Sequence, residues 1–279
     1  MTLREWKRFA IEALEKSGNP DAEADARILL SDVTGHALSE LRFFEDVSLA
    51  EDERRTLDRR LTERLSGRPL QYIEGEAWFM GLRFSVDERV LIPRQDTETL
   101  CEEALRVLRG QKVKSVLDLC TGSGALAVSI ARFCPGASVT ASDISADALN
   151  VAKQNAEQNG VSVRFLQGDG FSPVQGERFS VIVCNPPYLS QADMGELQAE
   201  VRHEPEIALL GGEDGFDFYR RFSKEVFDHL TPGGCALFEV GEGQAQAVYA
   251  LLTEEGRTAQ AEIIKDLNGI GRVVFIRSN

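Results

Sequence analysis

The chain has 279 residues, 43% hydrophobic and 27% charged, enough for one large globular domain or two modest ones. Its formal net charge of −14 weighs against a protein that grips duplex DNA by the phosphates, which takes a basic face. That charge suits a basic partner or a small-molecule substrate, and serves solubility equally well. Five scattered cysteines without a Cys-x-x-Cys pair fit a reducing compartment. His36, His203 and His229 lie far apart, which leaves a zinc site or a Ser-His-Asp triad without support, and no metal is expected. The start, Met1-Thr-Leu-Arg-Glu-Trp-Lys-Arg, is charged and amphipathic, and no apolar run is long enough for a bilayer. A cytoplasmic location without membrane contact is expected.

Residues 1–74 read as helices. Leu3, Trp6, Phe9, Ala10 and Leu14 share one face of a first helix, which Gly18-Asn19 stops. Asn19-Pro20 is expected to cap a second helix carrying Ala22, Ala26, Leu29 and Leu30. Ser48-x-x-Glu51 has the spacing of a capping box, opening a charged helix of about eighteen residues that Gly67 closes. A small bundle results, free of chemical motifs, suited to recognising a partner or to packing on a larger domain. In 75–95 the period changes. Trp78, Met80, Leu82, Phe84 and Val86 alternate, with Gly81 at a turn or bulge, and a β-hairpin linking two domains is expected.

Residues 96–279 form the larger domain. From about residue 112 the pattern alternates: strands at 113–120, 137–142, 161–167, 179–184 and 235–240, with helices between and after them. Residues 261–265 and 272–276 are suited to pair as an antiparallel edge. The fold class is α/β, a doubly wound, mostly parallel sheet with helices on both faces and an antiparallel last strand.

Ligands of such sheets bind beyond the carboxyl ends of the strands. After the buried strand 179–184 comes Asn185-Pro186-Pro187-Tyr188. An amide or exocyclic amine nitrogen is a poor nucleophile because its lone pair is delocalised. A site that alkylates it accepts hydrogen bonds from both N–H groups and leaves the lone pair facing the electrophile. The Asn185 oxygen and the Pro186 carbonyl supply two acceptors, Pro187 fixes the backbone, and Tyr188 offers a stacking face. Read alone, the tetrapeptide is equally a turn.

The first strand runs into Asp118-Leu-Cys120-Thr121-Gly122-Ser123-Gly124, glycine-rich where backbone meets a ligand. It lacks the third glycine of a dinucleotide fingerprint and the Gly-Lys-Ser/Thr of a P-loop. An acid here suits a ligand with a positive amino group. Asp143, about 25 residues on, stands near the spacing of a ribose-binding acid, although Asp143 or Ser145 also suits a helix cap. Asp169 and the backbone at Gly170 are placed to meet an adenine edge. Together these describe an amino-acid-bearing adenosine facing a nitrogen nucleophile, which is S-adenosylmethionine.

Residues 112–279 resemble a Rossmann-like class I S-adenosylmethionine-dependent methyltransferase, and Asn-Pro-Pro-Tyr resembles the motif of amino-methyltransferases. Leu91-Ile-Pro-Arg-Gln-Asp-Thr-Glu98 is similar to the Ile-Pro-Arg-Pro-Asp-Thr-Glu signature of the PrmC/HemK family, the release factor glutamine methyltransferases. Val201-Arg-His-Glu-Pro205 and Glu239-Val-Gly241 extend the resemblance to essentially the whole chain. Gln95 replaces the usual proline, Cys120 the first glycine of the loop, and Gly170 a bulkier, often aromatic residue. The resemblance implies methyl transfer to the side-chain nitrogen of the Gly-Gly-Gln glutamine in class-one peptide chain release factors. It implies further that Cys120 to Gly124, Asp143 and Gly170 line the cofactor pocket and that Asn185 to Tyr188 hold the glutamine amide. A ribosomal protein, or adenine N6 of nucleic acid, is the alternative acceptor; direct nucleic-acid binding is not expected, given the charge.

Overall fold

The computed structural model describes every residue except Val113 and Glu255, and it divides into two compact units. The first comprises Met1–Gly75 with Gln198–His203, the second Glu76–Leu197 with Glu204–Asn279.

The first unit packs helices α1 (Leu3–Lys16), α2 (Ala22–Thr34), α3 (Glu51–Leu65) and α4 (Leu70–Glu74) around Trp6, Leu14, Leu29 and Leu57. Thr2 and Glu5 form the capping box of α1, and Gly18 leaves it with a positive φ. Phe9, expected on the apolar face, is exposed; Leu3, Trp6, Ala10 and Leu14 fill the core stripe. Asn19 does not cap α2. Its side-chain oxygen accepts from Asp21 N, and its amide donates to Asp25, which makes a turn ahead of the helix. The capping box expected at Ser48 is displaced by two residues, since Glu53 accepts from the backbone N–H of Ala50, where α3 begins. Ser48 instead bridges to Thr2. Deep in this unit Arg64 donates to Asp25 at 2.6 Å and pairs also with Glu200.

The second unit opens with β1 (Glu76–Phe79) and β2 (Leu82–Ser85), joined through Met80 and Gly81, both at positive φ. A two-residue turn pairs Phe79 with Leu82 and Ala77 with Phe84, so the buried parity switches across it. That switch buries Ala77 and Phe79 and leaves Trp78 65% exposed, contrary to the single alternation expected. Phe79 and Phe84 enter the main core, so the hairpin is part of this unit.

Then follow α5 (Asp96–Arg109), β3 (Ser115–Leu119), α6 (Ala125–Phe133), β4 (Ser138–Asp143), α7 (Ala146–Gln158), β5 (Arg164–Gln167) and β6 (Phe179–Cys184). Val113, the expected start of the first parallel strand, lies outside the described residues. Short helices α8 (Gln191–Gly195) and α9 (Asp217–Phe222) precede β7 (Leu230–Glu239), α10 (Ala245–Thr253), β8 (Thr258–Lys265) and β9 (Gly271–Ser278). The sheet order is β5-β4-β3-β6-β7-β9-β8, parallel through β7; β9 runs antiparallel to both its neighbours. β9 therefore inserts between β7 and β8, and the last two strands pair antiparallel at the edge, as expected. Every residue of β6 is buried, as a central strand covered on both faces requires. The chain leaves β3 toward β4 and returns to its other side at β6, so β3 and β6 flank the switch point where open α/β sheets bind ligands. Among the described residues, no helix is long and apolar enough to cross a membrane.

Removing one partner of a buried ion pair strands the other charge. Asp25→Ala is therefore expected to destabilise the protein by about 3 kcal/mol in urea unfolding. A loss of less than about 1 kcal/mol would show that Glu200 and solvent hold Arg64 unaided.

Candidate active site

A cavity of about 760 Å³ opens within the second unit at the carboxyl ends of β3, β4 and β6, a size suited to a cofactor together with a side chain. Cys120, Thr121, Gly122, Ser123, Asp143, Asp169, Gly170, Asn185 and Pro187 line it. Asp118, Gly124, Pro186 and Tyr188 do not reach its wall.

Asp118 is fully buried beneath the glycine loop, where its Oδ2 accepts from Thr121 Oγ1 at 2.6 Å and from Ala127 N at 3.1 Å. It fastens loop to helix, which differs from the amino-group contact expected. Burial pushes its carboxyl up to about 7. Its Oδ1 has no hydrogen-bond partner among the described residues. Cys120 adopts φ +58°, a left-handed conformation that favours glycine, which accounts for the residue it replaces in the resembling family. Gly124 lets α7 approach, since a Cβ there would meet Ala152 Cβ at 3.1 Å.

Asp143 accepts from Gly122 N and from Ser145 N, both at 2.9 Å, one on each carboxylate oxygen. It ties the β3 and β4 loops together while lining the cavity; Ser145, not Asp143, caps α7. Burial raises its pKa, against three backbone N–H groups that lower it. Asp169 is paired with Arg221 at 2.5 Å. Gly170 has φ +53°, and a Cβ there would lie 1.8 Å from Phe222 Cε1. The Phe222 ring, on a cavity-lining helix that the sequence reading missed, thus fills the space of a larger residue at 170.

At the end of β6, Asn185 Nδ2 donates to Thr97 Oγ1 at 3.1 Å. Among the described residues nothing donates to the Pro186 carbonyl. Burial pushes the Tyr188 phenol up to about 12, so it stays protonated, and its carbonyl accepts from Gln244 Nε2 at 2.9 Å. Glycines unnoticed in the sequence permit this packing. A Cβ at Gly211 would sit 2.6 Å from the Pro187 oxygen, and one at Gly215 2.3 Å from the Tyr188 oxygen. The two segments flanking the mouth meet through Glu204, which accepts from Ile92 N at 3.1 Å and pairs with Arg94. Leu91, Pro93, Arg94 and Thr97 line the cavity, and Gln95 makes no side-chain cap at the start of α5. Glu239, at the end of β7, is buried, and burial pushes its carboxyl up to about 7. No group of acids, histidines and cysteines suited to a metal occurs among the described residues.

The PrmC N-terminal domain family matches residues 5–75, and the Methyltransferase small domain family matches residues 98–204. A release factor glutamine methyltransferase of Deinococcus radiodurans is 39% identical over 99% of this chain and 99% of its own. The chain belongs to the release factor glutamine methyltransferase family. Another member, from Bacillus subtilis, is 38% identical over 98% of this chain and 96% of its own. A ribosomal protein uL3 glutamine methyltransferase of Bordetella pertussis is 39% identical over 86% of this chain and 84% of its own. Among solved structures, a methyltransferase from Pyrococcus furiosus aligns with TM-score 0.50 and 18% identity, covering 79% of this chain and 98% of that one. A 16S rRNA N2 methyltransferase of T. thermophilus, RsmC, aligns at TM-score 0.51 and 21% identity over 73% of this chain and 50% of its own. These two show that the chain shares the Rossmann-like methyltransferase fold.

Asp118 and Glu239 bind their protons more tightly folded than unfolded, so each removes stability as pH rises from about 4 to about 7. Asp118→Asn, which keeps an acceptor for Thr121 and Ala127, is expected to gain on the wild type in urea unfolding as pH is raised across that range. Parallel stability curves would show that the Asp118 carboxyl is not so perturbed.

Proposed function

We propose that this protein transfers a methyl group from S-adenosyl-L-methionine to the side-chain amide nitrogen of the glutamine in the Gly-Gly-Gln motif of class-one peptide chain release factors. One observation carries the reading: Asn185 lines the cavity at the switch point and is anchored through its nitrogen, and the Pro186 carbonyl that follows it accepts no hydrogen bond among the described residues. The full-length likeness to release factor glutamine methyltransferases supports the acceptor. The likeness to the uL3 enzyme favours a second reading, the same chemistry on a ribosomal protein.

The cavity fits the methyl donor. A Cβ at Gly122 would meet nothing within 4 Å, so the loop presents open backbone, and Asp143, which lines the cavity, keeps acceptor capacity for a ribose hydroxyl. Thr121 to Ser123, Asp143 and the backbone at Gly170 would hold the cofactor, with Asp169 at the rim. When bound, it supplies a methyl group activated on a sulfonium.

The chain's own residues then orient. The Asn185 oxygen and the Pro186 carbonyl accept the two N–H groups of the glutamine amide, draw it out of conjugation and fix its lone-pair axis. Pro187 keeps the carbonyl in place, and Tyr188 supports the turn from beneath. No base is required at the outset, because the nitrogen becomes strongly acidic once alkylated. The protonated Tyr188 phenol is consistent with that. For the helical unit, 1–74, we propose recognition of the release factor.

Methyl labelling tests this. The purified protein is expected to label a class-one release factor, and Gly-Gly-Gln→Gly-Gly-Ala to abolish it; labelling of uL3 alone would transfer the reading to the ribosome. Asn185→Ala is expected to lower kcat by roughly a hundredfold or more. A near-normal rate would remove Asn185 from the mechanism. Asp143→Ala is expected to weaken cofactor binding in calorimetry, and unchanged affinity would reduce it to a loop fastener.

A further inference from the structure

An asparagine serves as an acceptor only if its amide faces the right way. Turned by half a revolution about its last bond, Asn185 would present two N–H donors to a substrate nitrogen that needs an acceptor. The nucleophile would then be repelled. The tetrapeptide itself contains nothing that chooses between these orientations.

Two residues outside it do. Thr97 is the second residue of α5, is 5% exposed, and its Oγ1 accepts from Asn185 Nδ2 at 3.1 Å. Glu239 ends β7, is 1% exposed, and its carboxyl faces both the Thr97 hydroxyl and the Asn185 amide. Its Oε2 has no hydrogen-bond partner among the described residues, so it is a buried acceptor without a donor. An ionised carboxylate only accepts. It therefore attracts the Asn185 NH₂ and repels the Asn185 oxygen. A Thr97 hydroxyl that turns its proton to Glu239 keeps its lone pairs for Asn185.

We propose that Thr97 and Glu239 are positioning residues that hold the Asn185 carboxamide with its oxygen, rather than its nitrogen, toward the substrate amide. The strand end is itself anchored, since Tyr219 OH donates to the Glu239 carbonyl at 2.7 Å. The groups facing Glu239 come from four elements: Asp96 and Thr97 on α5, Arg272 on β9, Tyr219 on α9, whose phenol burial keeps protonated, and Asn185 with Tyr188 after β6. Arg272 is shared with Asp96 at 3.1 Å and Asp266 at 3.2 Å. Burial outweighs that cation and pushes Glu239 up to about 7. Below that pH the carboxyl gains a proton that it can donate to the Asn185 oxygen, and the preference for the productive orientation fades.

The proposal rests on the glutamine reading, and wild-type labelling of a release factor tests that reading separately. With the intact protein and that release factor, Thr97→Val is expected to lower kcat about tenfold or more, with affinity for S-adenosylhomocysteine within about twofold of wild type. Thr97→Ser is expected to restore most of kcat. Wild-type kcat is expected to rise with pH through about 7, and the rise to vanish in Glu239→Gln. A readout free of catalysis accompanies these: the Asn185 side-chain NH₂ signals, assigned by their loss in Asn185→Asp, should be protected from exchange in wild type and exposed in Thr97→Val. Full kcat in Thr97→Val, an unaltered pH rise in Glu239→Gln, or unprotected Asn185 signals in the folded wild type would each overturn the proposal.

Discussion

A planar amide nitrogen becomes a nucleophile only when both of its protons are held by acceptors and its lone pair is left to face the electrophile. In the function we propose, the site answers that requirement. The acceptors must be rigid, must exclude water and must differ in kind from the donors around them. A parallel strand buried on both faces, β6, delivers Asn185 and Pro186 to one point at the sheet's switch position. Two successive prolines then fix the backbone that carries the second acceptor. Gly211 and Gly215 come close enough that no Cβ would fit against Pro187 and Tyr188, so the turn is held from behind by main chain.

The cofactor side is built on the same economy. Asp118 and Asp143 act on the glycine loop from two directions, one beneath it at the end of β3 and one beside it at the end of β4. Asp118 takes the hydroxyl of Thr121 and one N–H of the first turn of α6, that of Ala127, which leaves Gly122 and Ser123 to line the cavity. The cost is two acids, Asp118 and Glu239, buried in the sheet and pushed toward neutrality. Buried carboxyls with perturbed affinity for protons cluster where a fold has been shaped for chemistry rather than for stability.

The layering and the chemistry were legible in the sequence because they depend on local pattern. Runs such as Phe179–Cys184 have few alternatives to a buried strand, and Asn-Pro-Pro-Tyr carries its acceptors within four residues. What escaped depends on partners distant in the chain. Asp118 reads as a ligand contact until the structure shows Thr121 and Ala127 using it. Gly170 reads as a gap until Phe222, 52 residues later, is seen to fill it. Glu204 and the segment at 91–98 carry separate signals, and only folding joins them through Ile92 and Arg94. Helix starts went astray for a local reason: Ser48 and Glu53 compete to define the entrance of α3, and the backbone chose Glu53. The hairpin's parity was lost at Met80-Gly81, whose paired positive φ values nothing in an alternating pattern announces.

The central claim concerns atoms, and a structure of the protein with S-adenosylhomocysteine and a glutamine-containing release factor fragment tests it most directly. The account predicts the glutamine Nε2 within about 2.7–3.2 Å of both Asn185 Oδ1 and the Pro186 carbonyl, on the side facing the sulfur. A glutamine amide held by other groups, with the Asn185 oxygen turned toward Thr97, would contradict it.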